Sequence, residues 1–163
     1  MELLATEPLR DQDYPRKSFY LCRSGLLANL AKEIEPTSRS FGLFLAMDAR
    51  GIENIVILAY AREMFKMGLA YLCAWGPDCE RVHDLFDAAI CGEVPDPTNQ
   101  NIVMTTWHSD EPLEEALWYF AIAAFPAEDY SKTCTDWVAG CVGNPHWENT
   151  IRNKLSGLAQ HHT

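Results

Sequence analysis

The sequence predicts an α/β fold built on a small, mostly parallel four-stranded sheet, doubly wound in the Rossmann-like or flavodoxin-like manner. Three observations predict it. Residues 41–47 and 69–75 are continuous apolar runs, as strands buried on both faces require. Each run is followed by a turn signal and then by apolar residues at helical spacing, and that alternation repeats along the chain. Finally, 163 residues, 48% of them hydrophobic, are close to the usual size of one domain and enough to bury one core.

Residues 1–40 read as an irregular N-terminal extension packing on the domain, with residues 41–160 forming the domain itself. Within the extension, 18–22 is a short apolar run suited to an edge strand, and Leu26, Leu27, Leu30 and Ile34 have helical spacing. Pro36 and the polar residues 37–40 mark a break. The first domain strand, 41–47, stops at Asp48-Ala49-Arg50-Gly51. Ile52, Ile55, Val56, Ala59, Met64 and Met67 then recur at helical intervals, with Gly68 as a C-terminal stop.

The second strand, 69–75, turns through Gly76-Pro77 into a helix with Pro77 at its first position and Asp78 and Glu80 at the positive end of its dipole. Val82, Leu85, Phe86 and Ile90 form its apolar stripe, and residues 92–100, with two prolines, read as a loop. The third strand is 102–107. His108-Ser109-Asp110 leads from it into a helix with Pro112 in its first turn and Leu113, Ala116, Leu117, Phe120 and Ala124 inward. A fourth strand spans 137–142, and Gly143-Asn144-Pro145 offers an N-cap and first-turn proline for a last helix to about residue 158.

Charge narrows the function classes. The net charge is −10, which argues against nucleic-acid binding, because that needs Lys and Arg to replace phosphate counterions. Residues 78–115 hold ten acidic side chains and only Arg81 as a base, so this segment carries −9 of the −10. One strongly negative face is expected, either as a solubilising surface or as a partner surface. No run approaches a membrane span, and residues 1–16 mix Glu, Arg and Asp where a signal peptide is apolar, so a cytoplasmic location is expected. The six cysteines, Cys22, Cys73, Cys79, Cys91, Cys134 and Cys141, read as reduced core thiols.

In open α/β sheets, ligands bind beyond the carboxyl ends of the strands. Those loops hold Asp48 and Arg50; Trp75, Asp78, Cys79 and Glu80; Trp107, His108, Ser109 and Asp110; and Asn144, His146 and Trp147. A tryptophan ends both the second and third strands, either capping the core or facing a ligand or partner. Nucleotide binding is disfavoured, since Asp48-Ala49-Arg50-Gly51 has neither the Gly-x-Gly-x-x-Gly turn nor a phosphate-loop Lys. Carboxylates at the helix starts, Asp78 with Glu80 and Asp110 with Glu111, would also repel phosphate. No cofactor is expected.

Cys79 lies in a first helical turn, where the dipole lowers a thiol pKa, but two carboxylates beside it act the other way. Ser109 lacks a Gly-x-Ser-x-Gly elbow, and consecutive His108 and Asp110 do not build a triad. A metal would draw on Cys79 and His83, four apart on one helix face, with His108 and His146 from neighbouring loops. The terminal His161-His162 pair reads as a frayed end.

The stretch Tyr71-Leu-Cys-Ala-Trp-Gly-Pro-Asp-Cys79 and the block Val103-Met-Thr-Thr-Trp-His-Ser-Asp-Glu-Pro-Leu-Glu-Glu-Ala-Leu-Trp-Tyr-Phe120 resemble a family of small bacterial proteins of unknown function. The shared features are a Trp-Gly-x-x-Cys turn and a Thr-Thr-Trp-His-x-Asp-Glu-Pro-Leu-Glu-Glu motif, over residues 41–125. The resemblance implies no catalytic residue. It implies that the two Trp-containing loops belong to one recurring site or structural core.

The leading expectation is a non-enzymatic, acidic binding protein that engages a basic protein partner in the manner of immunity or antitoxin proteins. Its surface would comprise Trp75, Asp78, Glu80, Trp107, His108, Asp110, Glu111, Glu114 and Glu115. The alternative is a small-molecule or metal-dependent enzyme at the same loops, with His108 as acid–base group and Cys79 or Asp110 as nucleophile or ligand. The sequence leaves oligomeric state open.

Overall fold

A computed structural model describes residues 1–7, 15–91 and 102–158. Their elements run β1 (Glu2–Thr6), β2 (Ser18–Ser24), α1 (Leu27–Glu33), β3 (Ser40–Ala46), α2 (Asn54–Lys66), β4 (Leu69–Trp75), α3 (Cys79–Cys91), β5 (Met104–His108), α4 (Leu113–Trp118), β6 (Cys134–Val142) and α5 (Pro145–Leu158). A π-helical turn, Tyr119–Ala123, continues α4, and a 3-10 turn at Glu128–Tyr130 precedes β6. The expected loop at 92–100 and the His161-His162 pair lie outside the described residues.

Among the described residues the sheet has six strands, not four, in the order β1-β2-β6-β3-β4-β5. All neighbours are parallel except β1 and β2. The segment expected as an irregular extension therefore supplies two strands and a helix. β2 is no edge strand: it lies between β1 and β6, with Phe19, Leu21 and Cys22 buried. β1 escaped notice because only Ala5 of its five residues is buried, leaving no apolar alternation. The five mutually parallel strands, counted along the chain, run first-fifth-second-third-fourth across the sheet, where a flavodoxin-like sheet runs 2-1-3-4-5.

β6, last in the chain, lies at the centre of the sheet, and its composition fits that place. Trp137, Val138, Ala139 and Cys141 are buried, and Gly140 leaves room for the Leu30 side chain of α1. Gly42 does the same for Trp137, since a Cβ there would come within 2.6 Å of the indole. Buried Asp136 at the start of β6 accepts hydrogen bonds from the Thr37 backbone N–H (2.6 Å), the Thr37 hydroxyl (3.0 Å) and the Ser38 N–H (3.1 Å). A buried carboxylate is tolerable only when so satisfied, and here it ties the turn before β3 to the central strand.

The sheet divides two apolar cores. Leu27 and Leu30 of α1, Ile57 and Met64 of α2, and Val82 and Phe86 of α3 pack with Leu43, Leu45, Leu72 and Val138 on one face. Leu113 and Leu117 of α4, Phe120, and Ile151 and Leu155 of α5 pack with Phe44, Cys73, Ala139 and Trp137 on the other. Right-handed crossovers explain this division. Connections from β2 through β5 advance in one direction and put their helices on one face. The return from β5 to β6 puts α4 on the other.

The inward stripes of α3 and α4 follow the sequence reading, but that of α2 does not: Ile55, Val56 and Ala59 are exposed while Ile57, Tyr60 and Ala61 join Met64 in the core, and Leu26, before α1, is exposed. Leu113, Ala116, Leu117, Phe120 and Ala124 are all buried, and Gly68 ends α2 at φ +98°. Asn144 Oδ1 caps α5 by accepting from the N–H groups of His146 and Trp147, each at 3.1 Å. Two boundaries move. α3 starts at Cys79 instead of Pro77, because Gly76 (φ +113°) and Asp78 (φ +65°) form a tight turn first. Glu114 and Glu115, not Asp110 and Glu111, occupy the first turn of α4. Among the described residues no helix is long and apolar enough to cross a membrane.

Candidate functional site

The loops beyond β3 and β4 are fastened to each other. Met47 N–H donates to Trp75 O at 3.2 Å and Ala49 N–H to Pro77 O at 3.0 Å. A Cβ on Gly76 would run into the Met47 carbonyl oxygen, so this approach needs glycine on both steric and φ grounds. Arg81 completes the joint. Its Nε donates to Asp78 Oδ2 (2.6 Å), Nη1 to Asn54 Oδ1 (2.6 Å) and Ile52 O (3.2 Å), and Nη2 to Ala49 O (2.6 Å). Asp48 is held by a two-pronged bond from Arg50, Nε at 2.9 Å and Nη2 at 2.6 Å, which lowers its carboxyl pKa. The polar groups of these loops are thus largely engaged with one another.

Cys79 is buried beneath that joint. Burial raises its thiol pKa, against the opposing pull of the backbone N–H groups of His108, Cys79 itself and Gly76. A protonated, enclosed thiol is a poor nucleophile. Five cysteines, Cys22, Cys73, Cys79, Cys134 and Cys141, are buried and unbridged, as core thiols should be. The Cys91 side chain is outside the described set.

The two tryptophans separate to opposite faces, because Trp75 pairs in register with His108 and Ala74 with Trp107. On the α4 and α5 face, Trp75 Nε1 donates to Glu111 O at 2.9 Å, and its ring meets Trp147 edge-on at 5.0 Å. His108 lies beside it, 7% exposed, with Nδ1 3.0 Å from Glu111 Oε2 and its ring 4.8 Å from that of Tyr119. His108 Nε2 is buried and has no hydrogen-bond partner among the described residues.

On the α3 face, Trp107 is 44% exposed and its ring meets that of His83 at 4.5 Å, tilted by 52°. His83 sits between Asp84 (Nδ1 to Oδ1, 3.0 Å) and Asp87 (Nε2 to Oδ2, 3.5 Å), and Thr105 Oγ1 donates to Asp87 at 2.7 Å. The loops therefore do not converge on one tryptophan-lined pocket. Cys79, His83, His108 and His146 are likewise not gathered: among the described residues no three His, Cys, Asp or Glu side chains could hold a metal ion. His146 is exposed on the first turn of α5.

What the arrangement does bring together is charge. Glu80 and Asp84 on α3 and Asp110, Glu111, Glu114 and Glu115 at α4 are exposed, on the two sides of β5. Arg81, the base in this region, is committed to the loop joint. The outward face of α4 also carries Trp118, 51% exposed, at helical spacing from Glu114 and Glu115. Sequence reading passed over Trp118, although its place between the inward positions Leu117 and Phe120 marks it as outward. Arg81 stands out in the sequence as the one base among ten carboxylates, but its role in the loop joint is visible only in the structure.

An apolar groove of about 410 Å³ lies between α1 and α2, lined by Ala28, Ala31, Ile55, Val56, Ala59 and Tyr60, with Glu63.

No curated protein matches the chain. A family model described as a domain of unknown function takes in residues 27–157, from the start of α1 to the penultimate residue of α5. That match covers most of the chain, which belongs to the DUF7684 family.

Proposed function

We propose that the protein is a non-enzymatic, acidic binding protein that engages a basic protein partner through the β5 end of its sheet, in the manner of immunity or antitoxin proteins. The observation that carries this reading is the outward face of α4, where half-exposed Trp118 is set beside Glu114 and Glu115. An exposed indole supplies a large anchor at low entropic cost, and carboxylates around it select a cationic partner and speed its approach. The engaged polar groups of the β3 and β4 loops support the same reading, since Arg81 and Asp78 hold those loops together and Asp48 pairs with Arg50 inside its own loop.

Affinity capture from the source organism tests it, with the wild type, Glu114→Lys/Glu115→Lys and Trp118→Ala as parallel baits. A basic protein retained by the wild type and lost from both variants is the expected result, with association slowing as salt is raised. Recovery of no protein partner, or equal retention by all three baits, overturns the proposal.

A second reading, acid–base catalysis, rests on His108. Its Nδ1 is directed at the Glu111 carboxylate, the arrangement that fixes an imidazole tautomer and leaves Nε2 as the reactive nitrogen.

A further inference from the structure

We propose that the edge of β5 is a strand-pairing site that takes an extended segment of the partner in which basic residues alternate with apolar ones. The inference rests on the acidic-binding reading above and specifies how the partner is held.

Among the described residues β5 pairs with β4 alone and forms the last strand of the sheet. Every second residue of such a strand turns its N–H and C=O away from its neighbour, leaving a row of unpaired groups. Proteins ordinarily protect such an edge with lysines, a proline or a bulge. Met104-Thr105-Thr106-Trp107-His108 has no lysine or proline, and its register with β4 is regular. It is also apolar on both faces at the rim. Met104, paired with Tyr71, is 41% exposed on the α4 side, and Trp107, paired with Ala74, is 44% exposed on the α3 side. Ile102, just before the strand, is 63% exposed.

Charge specifies the occupant. The α3 side of β5 is bordered by Asp84 and Asp87, the latter bonded to Thr105 of the strand itself. The α4 side is bordered by Glu111, bonded to His108, with Glu114 and Glu115 beyond. An added strand puts successive side chains on opposite faces of the sheet. Its apolar residues, all on one face, meet Met104 on the α4 side, while its Lys and Arg residues, all on the other, reach Asp84 and Asp87 on the α3 side. Arginine over the exposed Trp107 ring adds a cation–π contact. A second copy of this chain is a poor occupant, because pairing β5 with β5 brings both acidic borders face to face. The opposite edge lacks this character: on β1, Glu2 is held by Arg152 at 3.0 Å.

The probe is a panel of nine-residue peptides with Arg or Lys at alternate positions and Val, Ile, Phe or Trp between them. Each is made unmodified and in two forms N-methylated on alternate residues, one form per register. Binding to the full chain is measured by calorimetry, with amide hydrogen exchange as the second readout. Expected is binding by unmodified peptides, at least tenfold loss for one N-methylated register and retention for the other, with alternate amides of Met104–His108 exchanging at least tenfold more slowly. Binding that is equally strong in both N-methylated registers, with β5 exchange unchanged, overturns strand pairing and leaves the acidic-binding reading standing. Loss of binding in Glu114→Lys/Glu115→Lys with that same indifference to register likewise overturns strand pairing alone. Absence of binding by every basic peptide at low salt overturns both, and self-association through β5 overturns the proposed occupant.

Discussion

The Lys17 ammonium lies 3.9 Å from the ring centroid of Trp137, with both side chains inside the protein. It also donates to the carbonyls of Ala121 (3.0 Å) and Ala124 (2.6 Å), at the end of the π-helical turn where backbone oxygens lack helical partners. One residue before β2 thereby fixes the end of the α4 segment against the central strand. Lys17→Ala is expected to cost about 3 kcal/mol, since charged hydrogen bonds are lost and buried carbonyls are stranded. Lys17→Met, which keeps the apolar stem, is expected to cost about 2 kcal/mol by the same carbonyl penalty. Urea unfolding of both variants measures this, and wild-type midpoints would refute it.

Arg81 makes four hydrogen bonds to three separate stretches of chain, from Ala49, from Ile52 and Asn54, and from Asp78. A lysine cannot reproduce that fork from a single ammonium. Arg81→Lys is therefore expected to destabilise by about 1–2 kcal/mol, with Arg81→Ala nearer 3 kcal/mol. The more telling readout is local: amide exchange should accelerate in residues 48–54 while that of β6 changes only with global stability. Uniform acceleration across the sheet would show that Arg81 does not act on the loops.

Legibility followed burial. β3 and β4 are buried on nearly every residue, so their continuous apolar runs appear in sequence almost residue for residue. The inward stripe of α4 was equally clear, since Leu113, Ala116, Leu117 and Phe120 obey the helical period. β1 was invisible because its pairing is made by backbone groups while its side chains stay largely exposed. The central place of β6 was beyond local reading too, for strand order is settled by long-range contacts such as Gly42 against Trp137. At the candidate site, the sequence brings the polar and aromatic residues to the carboxyl end of the sheet, but His108 lies within β5 instead of beyond it, and the partition between the faces was not legible. It depends on a register of β4 against β5 that sends Trp75 and Trp107 to opposite faces.

Buried thiols give the protein an alkaline limit. Burial pushes Cys22 and Cys141 up to about 11 and Cys134 up to about 12, against an ordinary value of 9.0. Above pH 9 the unfolded chain loses these protons while the folded chain keeps them, so the unfolded state binds fewer protons and stability falls as pH rises. The contribution is fully present below the unfolded value and declines through the window from about 9 to 11, by up to about 1.4 kcal/mol per pH unit for each thiol. Urea midpoints at pH 8 and pH 10 should therefore converge in Cys22→Ala/Cys141→Ala relative to the wild type. An unchanged pH difference would show that these thiols do not set the limit.

His108 sets structural economy against chemistry. Its Nδ1 bond to Glu111 is worth about 1 kcal/mol, because Glu111 is 43% exposed and returns to water when the bond is lost. Its buried, unpartnered Nε2 costs about 1–3 kcal/mol, the penalty of desolvating a polar atom without a substitute. The two effects nearly cancel or leave a deficit. His108→Phe, which keeps an aromatic ring against Tyr119 while removing both nitrogens, is therefore expected to leave stability within about 1 kcal/mol of the wild type or to raise it. His108→Gln, which retains a polar end, should be the less stable of the two. If His108→Phe is neutral for folding yet abolishes a measured activity or partner affinity, the imidazole is kept for chemistry. A loss of more than about 2 kcal/mol would instead assign it to the polar framework of the β5 end.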